Sequence, residues 1–285
     1  MQQSVIKIYS HSEYEASKNS LLNYYLFIYG NRFHTVVGST ENNQILKLTT
    51  FTLTNSTNIF NLKYDELKSF NELLEEANQK FKSRKIIICN NSQSFIPDSL
   101  LNIVEIEKSY ELTQFVEPNS QVLYCKMHYN GIACMFNVNN EMLKFIRFSL
   151  PTADLYHGSL LFVKAIDEQK HQGAENIIHL SLNEDYIEIA VVNNGLRFYN
   201  TYHFDSETDI VYYVLAVAEQ LKIDYQAQVY IYGSNNQLIA LMPLLKKYIS
   251  SVKYAVKPKK VLYPVSFNQF AEHEYFLESA SLFCE

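Results

Sequence analysis

The sequence contains no tryptophan, and only 7 glycines and 6 prolines among its 285 residues. The glycines stand singly, at Gly30, Gly38, Gly131, Gly158, Gly173, Gly195 and Gly233. No glycine-rich run is therefore present to bring successive backbone N–H groups onto a phosphate. The four cysteines, Cys89, Cys125, Cys134 and Cys284, include no C-x-x-C pair. That excludes a zinc knuckle or a thioredoxin-like motif, and free thiols are expected. No apolar run approaches the roughly 18 residues that a membrane-spanning helix needs. Residues 1–20 are polar and lack the apolar segment of an export signal. A cytoplasmic protein is the expectation. The formal net charge is −6, which argues against a phosphate-binding surface, so a nucleic-acid partner is not expected. The basic residues Lys253, Lys257, Lys259 and Lys260 are read as a solvated tail.

Apolar residues make up 47% of the chain and charged residues 19%, enough for a packed core and against wholesale disorder. The 22 tyrosines and 18 phenylalanines fall mostly in strand or buried-helix patterns without interleaved basic residues. They are read as core rather than as base-stacking platforms. Tyr202, Tyr212 and Tyr213 stand apart, since tyrosines on a helix can set hydroxyls at a cleft or an interface.

Along the chain, Tyr24 to Tyr29 and Phe33 to Val37 flank a Gly30-Asn31 turn and predict a hairpin. Ile45 to Leu53 predicts a third strand. Leu67, Phe70, Leu74, Ala77 and Phe81 then recur at helical spacing and predict an amphipathic helix over about 62–82. Lys85 to Cys89 has the uniform apolar character of a buried parallel strand. Residues 91–120 are irregular, with one helix near 107–116. Strands at Val122 to His128 and Ile132 to Val138 follow, around an Asn130-Gly131 turn. Asn139-Asn140 caps a helix that Pro151 ends. A short strand at Ala153 to His157 and a helix over 158–171 close this half.

The second half repeats the plan. Ile177 to Leu182, Tyr186 to Val192 and Leu196 to Phe204 predict three strands, the last entered through Asn194-Gly195. Ser206 and Asp209 form a variant capping box at the head of a buried helix. Gln228 to Tyr232 predicts a strand, and Gly233 to Asn236 turns into a helix that Pro243 is expected to interrupt. The order strand, strand, strand, helix, strand thus occurs at about 24–90 and again at 177–232. Two α/β lobes are expected, at 1–172 and 173–285, with 91–120 inserted in the first and 258–285 as a tail of the second.

A duplicated β-β-β-α-β-α unit resembles the plan of the actin, sugar kinase and Hsp70 superfamily, with FtsA and PilM as similar families. The more specific resemblance is to the family catalogued as domain of unknown function 3822. It is carried by LFIYGNRFH (Leu26 to His34), GLRFYNTYHF (Gly195 to Phe204), DIVYYVL (Asp209 to Leu215), YGSN (Tyr232 to Asn235) and LLKKYI (Leu244 to Ile249). It covers about 20–260. The resemblance implies a two-lobed actin-like (ribonuclease H-like) fold and no established activity. Members of the superfamily that hydrolyse ATP carry an Asp-x-Gly turn in each phosphate hairpin and a Gly-Gly turn before the adenine helix. Here Gly30 keeps the first glycine, but Ile28 stands in the acid's place. Ser181-Leu182-Asn183 replaces the second motif, and Gly233 is followed by Ser234. Loss of both acids removes the usual hold on Mg²⁺, a hard ion that takes carboxylate or water oxygens. Backbone amides leave ATP binding open.

No residue is therefore assigned a catalytic or metal-binding role. Glu184 and Asp185 are turn residues, and Asp205, Glu207 and Asp209 suit the positive end of a helix. His157, His171, His179 and His203 form no H-E-x-x-H motif or other metal spacing. The candidate nucleotide-facing residues are Gly30, Asn31 and Arg32, Asn183 and Glu184, and Gly233, Ser234 and Asn235, expected to converge on a groove between the lobes. The expected function is that of a non-catalytic binding or scaffold protein with an unidentified protein partner and no cofactor. The alternative is a nucleotide-binding protein or weak ATPase with a rearranged site.

Overall fold

The structure, a computed structural model, describes residues 4–10, 14, 20–53, 58–126, 131–169, 176–224 and 226–283. The chain forms two units. The first comprises the described residues of Met1–Leu161, Lys260–Phe267 and Ser281–Glu285, and the second those of Phe162–Lys259 and Asn268–Ala280.

In the first unit, β1 (Ser4–Ser10), β2 (Asn23–Ile28), β3 (Arg32–Ser39), β4 (Gln44–Leu53), β5 (Ser83–Ile88) and β9 (Asp154–His157) build one sheet in the order β1-β4-β3-β2-β5-β9. β2, β3 and β4 are antiparallel, and β5 and β9 run parallel to β2. Every residue of β2 is buried, as a central strand covered on both faces requires. A second sheet, β6 (Gln93–Pro97), β8 (Ile132–Asn139) and β7 (Ser120–Lys126), carries the short helix α2 (Ile106–Glu111). It occupies the stretch expected to be irregular, and it is inserted between β5 and α3 (Asn140–Ser149). The Asn139 side chain caps α3 by accepting the Glu141 N–H at 2.7 Å, and the helix ends before Pro151.

The single helix expected over 62–82 is instead one turn of α-helix, α1 (Tyr64–Leu67), followed by 3-10 turns at Lys68–Leu74 and Glu76–Asn78. Its apolar stripe is correct, for Leu67, Phe70, Leu74, Ala77 and Phe81 are all buried. The winding differs because side chains take the helix carbonyls. The Ser69 hydroxyl donates to Glu66 O at 2.6 Å, and Arg84 Nε donates to Ala77 O at 2.7 Å.

α4 (Gly158–Glu168) leads the chain from the first unit into the second. The expected lobe boundary at 172–173 lies outside the described residues. In the second unit, β10 (Ile177–Leu182), β11 (Tyr186–Val192), β12 (Leu196–His203), β13 (Gln228–Tyr232) and β14 (Ser251–Tyr254) form a sheet of order β12-β11-β10-β13-β14. β10, β11 and β12 are antiparallel, and β13 and β14 run parallel to β10. This is the order and direction of β4-β3-β2-β5-β9. α5 (Glu207–Gln220) links β12 to β13, and α6 (Asn235–Leu245) links β13 to β14. The Ser206–Asp209 capping box is formed in both directions. Asn194 and Gly195 take φ of 51° and 137° at the β11–β12 turn, which explains the Asn-Gly pair. α6 runs through Pro243 without a break. The carbonyl that an N–H at 243 would reach belongs to Ile239, which is exposed, so water can serve it.

The sequence reading places the tail with the second half. Part of it belongs to the first unit: Leu262 exchanges backbone bonds with Asn43 and Ile45 at 2.8 and 3.0 Å. Residues Asn268–Ala280, including α7 (Phe276–Ala280), belong to the second.

Candidate functional site

In open α/β sheets the carboxyl ends of the parallel strands are where ligands meet the fold. Every candidate residue lies at such an end, and the two hairpins match turn for turn. In the first unit Tyr29 N–H donates to Arg32 O at 2.9 Å, closing a loop of Gly30 and Asn31. In the second, Asn183 N–H donates to Tyr186 O at 3.0 Å, closing a loop of Glu184 and Asp185. Ile28 pairs with Phe33 and Leu182 with Ile187, one step before each loop. The counterpart of Ile28 is therefore Leu182, one residue beyond the Ser181 expected from sequence. Both are buried and apolar. The counterpart of Gly30 is Glu184, a side chain where the first hairpin has none.

The first hairpin is tied into its own unit. Gly30 O accepts the Ile59 N–H, and Asn31 O accepts the Leu53 N–H at 2.9 Å. The Arg32 guanidinium lies 4.4 Å over the Tyr29 ring. Asn31 Oδ1 is buried without a hydrogen-bond partner.

In the second unit the structure brings two of the predicted turns together. β10 and β13 are parallel neighbours, with Ser181 beside Tyr232, so 183–185 and 233–235 leave the sheet side by side. Gln237 Nε2 donates to Asn183 O at 3.2 Å, and the Ser234 hydroxyl bonds Gln237 Oε1 at 2.8 Å. Ser234 is the residue before α6, yet its side chain caps no helix N–H. Gly233 has φ of 139°, and a Cβ there would lie 3.1 Å from Leu182 Cβ and from Leu182 O. Only glycine fits that backbone and that approach. Asn235 opens α6. Asn183 is buried, and its Nδ2 has no hydrogen-bond partner. Asp185 is exposed; its backbone oxygen accepts the Phe204 N–H at 3.2 Å, and His203 Nδ1 lies 3.1 Å from the same oxygen.

Sequence reasoning missed the residues at the matching end of the first unit, after β5 and β9. Asn90 follows β5, and its Oδ1 lies 3.0 Å from His157 Nε2 while accepting the Ser92 N–H and hydroxyl at 3.2 and 2.8 Å. Its Nδ2 donates to Asn137 O at 3.3 Å. His157 Nδ1 accepts the Ser159 N–H at 3.2 Å, which places the ring proton on Nε2. Burial pushes the imidazole down to about 3, and the Asn90 bond offsets that only partly. A neutral buried His at a helix start was not legible without the neighbouring Asn90. In the second unit His179 Nδ1 lies 2.7 Å from the Tyr232 hydroxyl, whose ionisation burial pushes well up. Among the described residues, no three His, Cys, Asp or Glu side chains gather as a metal would need, and no helix is long and apolar enough to cross a membrane.

Residues 11–252 match the family model described as "Protein of unknown function (DUF3822)". The chain belongs to the DUF3822 family. A Bacteroides thetaiotaomicron protein with actin-like ATPase fold and unknown function is similar over 96% of this chain and 100% of its own, with TM-score 0.80 and 18% identity. The PilM–PilN type IV pilus biogenesis complex contains a chain similar over 91% of this one and 98% of its own, with TM-score 0.59 and 11% identity. No curated protein matches. The DUF3822 chain has the actin-like ATPase fold, with the strand order of its two sheets repeated as the sequence predicts.

Proposed function

We propose that this DUF3822 protein is a non-catalytic binding or scaffold protein, an actin-like module that engages a protein partner and has a degenerate nucleotide site. The observation that carries this reading is the pair Ile28 and Leu182. Each precedes a hairpin loop by two positions, where the resemblance to ATP-hydrolysing relatives implies an acid, and each is buried apolar surface. An aliphatic side chain supplies no oxygen to a hard cation or its waters. Glu184 and Asp185 cannot replace both acids, since they share one loop of one unit. The similarity to a PilM chain from a complex with PilN supports protein partnering. The test is ATP turnover, with calorimetric titration of ATP and Mg²⁺ at millimolar nucleotide. Turnover equal to a Gly233→Trp control, with no Mg²⁺-dependent heat, is expected. Turnover lost on substituting Glu184 or Asp185 overturns the reading.

One observation favours a second reading, in which the second unit holds a phosphate-bearing ligand without a metal. The unpartnered Asn183 Nδ2 is a donor beside the uncapped start of α6, and helix starts attract anions. ATP-dependent heat that persists in EDTA and disappears in Asn183→Leu would select it.

A further inference from the structure

We propose that the inserted sheet of the first unit carries a docking surface for a basic, amphipathic segment of a partner protein, centred on Val104, Leu112 and Phe115. The inference deepens the binding-protein reading and rests on it. Within 98–117 the inner side of α2 is already used. Tyr110 is fully buried against Val122 and Met135, with Ile96, Leu101, Ile106 and Val116 around them, and its hydroxyl donates to Ser92 O at 2.7 Å. This small core accounts for the fold of the insert. It leaves a second set of apolar side chains in water: Val104 is 93% exposed, Leu112 85%, Phe115 72% and Leu100 66%. A short helical segment that is apolar on both sides has its outer side unpartnered. Such concentrations of exposed apolar surface mark interaction sites, whereas single exposed residues do not.

The charge around the patch names the partner's chemistry. Residues 98–117 hold five carboxylates, Asp98, Glu105, Glu107, Glu111 and Glu117, against one cation, Lys108. Lys108 pairs with Glu105 at 2.7 Å, and Lys126 pairs with Asp98. Glu107, Glu111 and Glu117 are exposed and have no ion pair among the described residues. An apolar strip bordered by three uncompensated carboxylates is complementary to a segment that alternates apolar side chains with Lys or Arg. It disfavours an acidic segment and, by like-charge repulsion, a second copy of itself.

The experiment uses the full chain and two fluorescent 14-residue probes, one of leucine with lysine at helical spacing and one of leucine with glutamate. Anisotropy is read for wild type, for Val104→Ser/Leu112→Ser/Phe115→Ser, and for Glu107→Gln/Glu111→Gln/Glu117→Gln. All six positions are exposed, and an unchanged melting midpoint verifies folding. Expected are binding of the lysine probe only, a loss of at least tenfold in each triple variant, and weaker binding as salt rises. Equal affinity of the serine variant, equal binding of the glutamate probe, or no binding of the lysine probe to wild type overturns the proposal. So does a wild-type dimer that the serine variant converts to monomer, since the occupant is then a second copy. ATP turnover measured in parallel separates the two readings: turnover with intact probe binding removes the non-catalytic reading alone, and loss of probe binding without turnover removes this one alone.

Discussion

His157 makes the stability of the first unit depend on pH in a direction the structure determines. The imidazole is buried, packs 5.3 Å from the Phe136 ring, and accepts the second N–H of α4 on Nδ1. Protonating Nδ1 removes that acceptor and places a charge where no water reaches it. Its native pKa is about 3, against about 6.5 in an unfolded chain. Between those values the unfolded state binds the proton and the native state does not. Stability therefore rises with pH across this window and is lost as pH falls below 6.5. From neutral pH to pH 5 the loss from this one group is about 2 kcal/mol, since each unit of pKa difference is worth about 1.4 kcal/mol. The assay is urea unfolding at pH 7.5, 6.5, 5.5 and 5.0, for wild type and for His157→Asn. Asparagine keeps a cap for the Ser159 N–H and removes the titration. The variant should be less stable at pH 7.5, because it loses the ring packing, and should show a flatter profile by about 2 kcal/mol over this range. Burial also lowers His273, so the difference between the two profiles is the quantity that decides. Asp65 and Asp209 are held below the usual carboxylate range by their hydrogen bonds and contribute mainly on the acid side of the window. Parallel profiles for wild type and variant would refute the argument.

Two further outcomes follow from local geometry. Gly38→Ala should destabilise the first unit by about 1–3 kcal/mol, measured by urea unfolding, because its Cβ would sit 2.6 Å from both Gln44 O and Leu282 Cδ2; an unchanged midpoint would show that the tail and the β3–β4 bulge yield freely. Ser206→Ala should cost about 1 kcal/mol in the same assay and speed amide exchange at Asp209, whose N–H it frees. Protection retained there would mean that the Asp209 carboxylate, bonded to the Asp205 and Ser206 N–H groups, holds the helix start alone.

The repeated plan was legible because each lobe's first strand is a run of uninterrupted burial beside a short turn, a pattern that survives when residue identity does not. The Ser206 cap, the Asn139 cap and the Asn194-Gly195 turn were legible for the same reason: each is a local rule satisfied within a few residues. β1, β6 and β14 were not. β1 alternates Lys7 and Ile8, both exposed, at a sheet edge. β6 ends in a proline, and β14 has only four residues. None has an apolar run to announce it, and each is a strand by virtue of its neighbour. The one-residue offset at Ser181 has the same origin. Register is a property of the pairing, and an Asp-x-Gly frame laid on sequence alone had no turn bond to anchor it. In the candidate site, the proximity of Asn183 to Gly233 followed from the parallel pairing expected there. The Asn90–His157 network did not, since its members are 67 residues apart.

The two units differ at one equivalent place, and the difference bears on function. In the second, β13 passes through Gly233 directly into α6. In the first, the chain leaves β5 at the matching point and builds β6, α2, β7 and β8 before reaching α3. The tight turn that would present helix N–H groups to a ligand is thereby replaced by Asn90, whose side chain meets His157, Ser92 and Asn137. These bonds are made within the unit, so that end of the sheet needs no ligand to complete it. A superfamily nucleotide site draws on both lobes, and a lobe whose strand end is occupied by its own side chains contributes little to one. The same insertion that closes this end sets Val104, Leu112 and Phe115 in water on its outer side. A loss of chemistry at the strand ends and a gain of adhesive surface on the insert are two consequences of one change in connectivity.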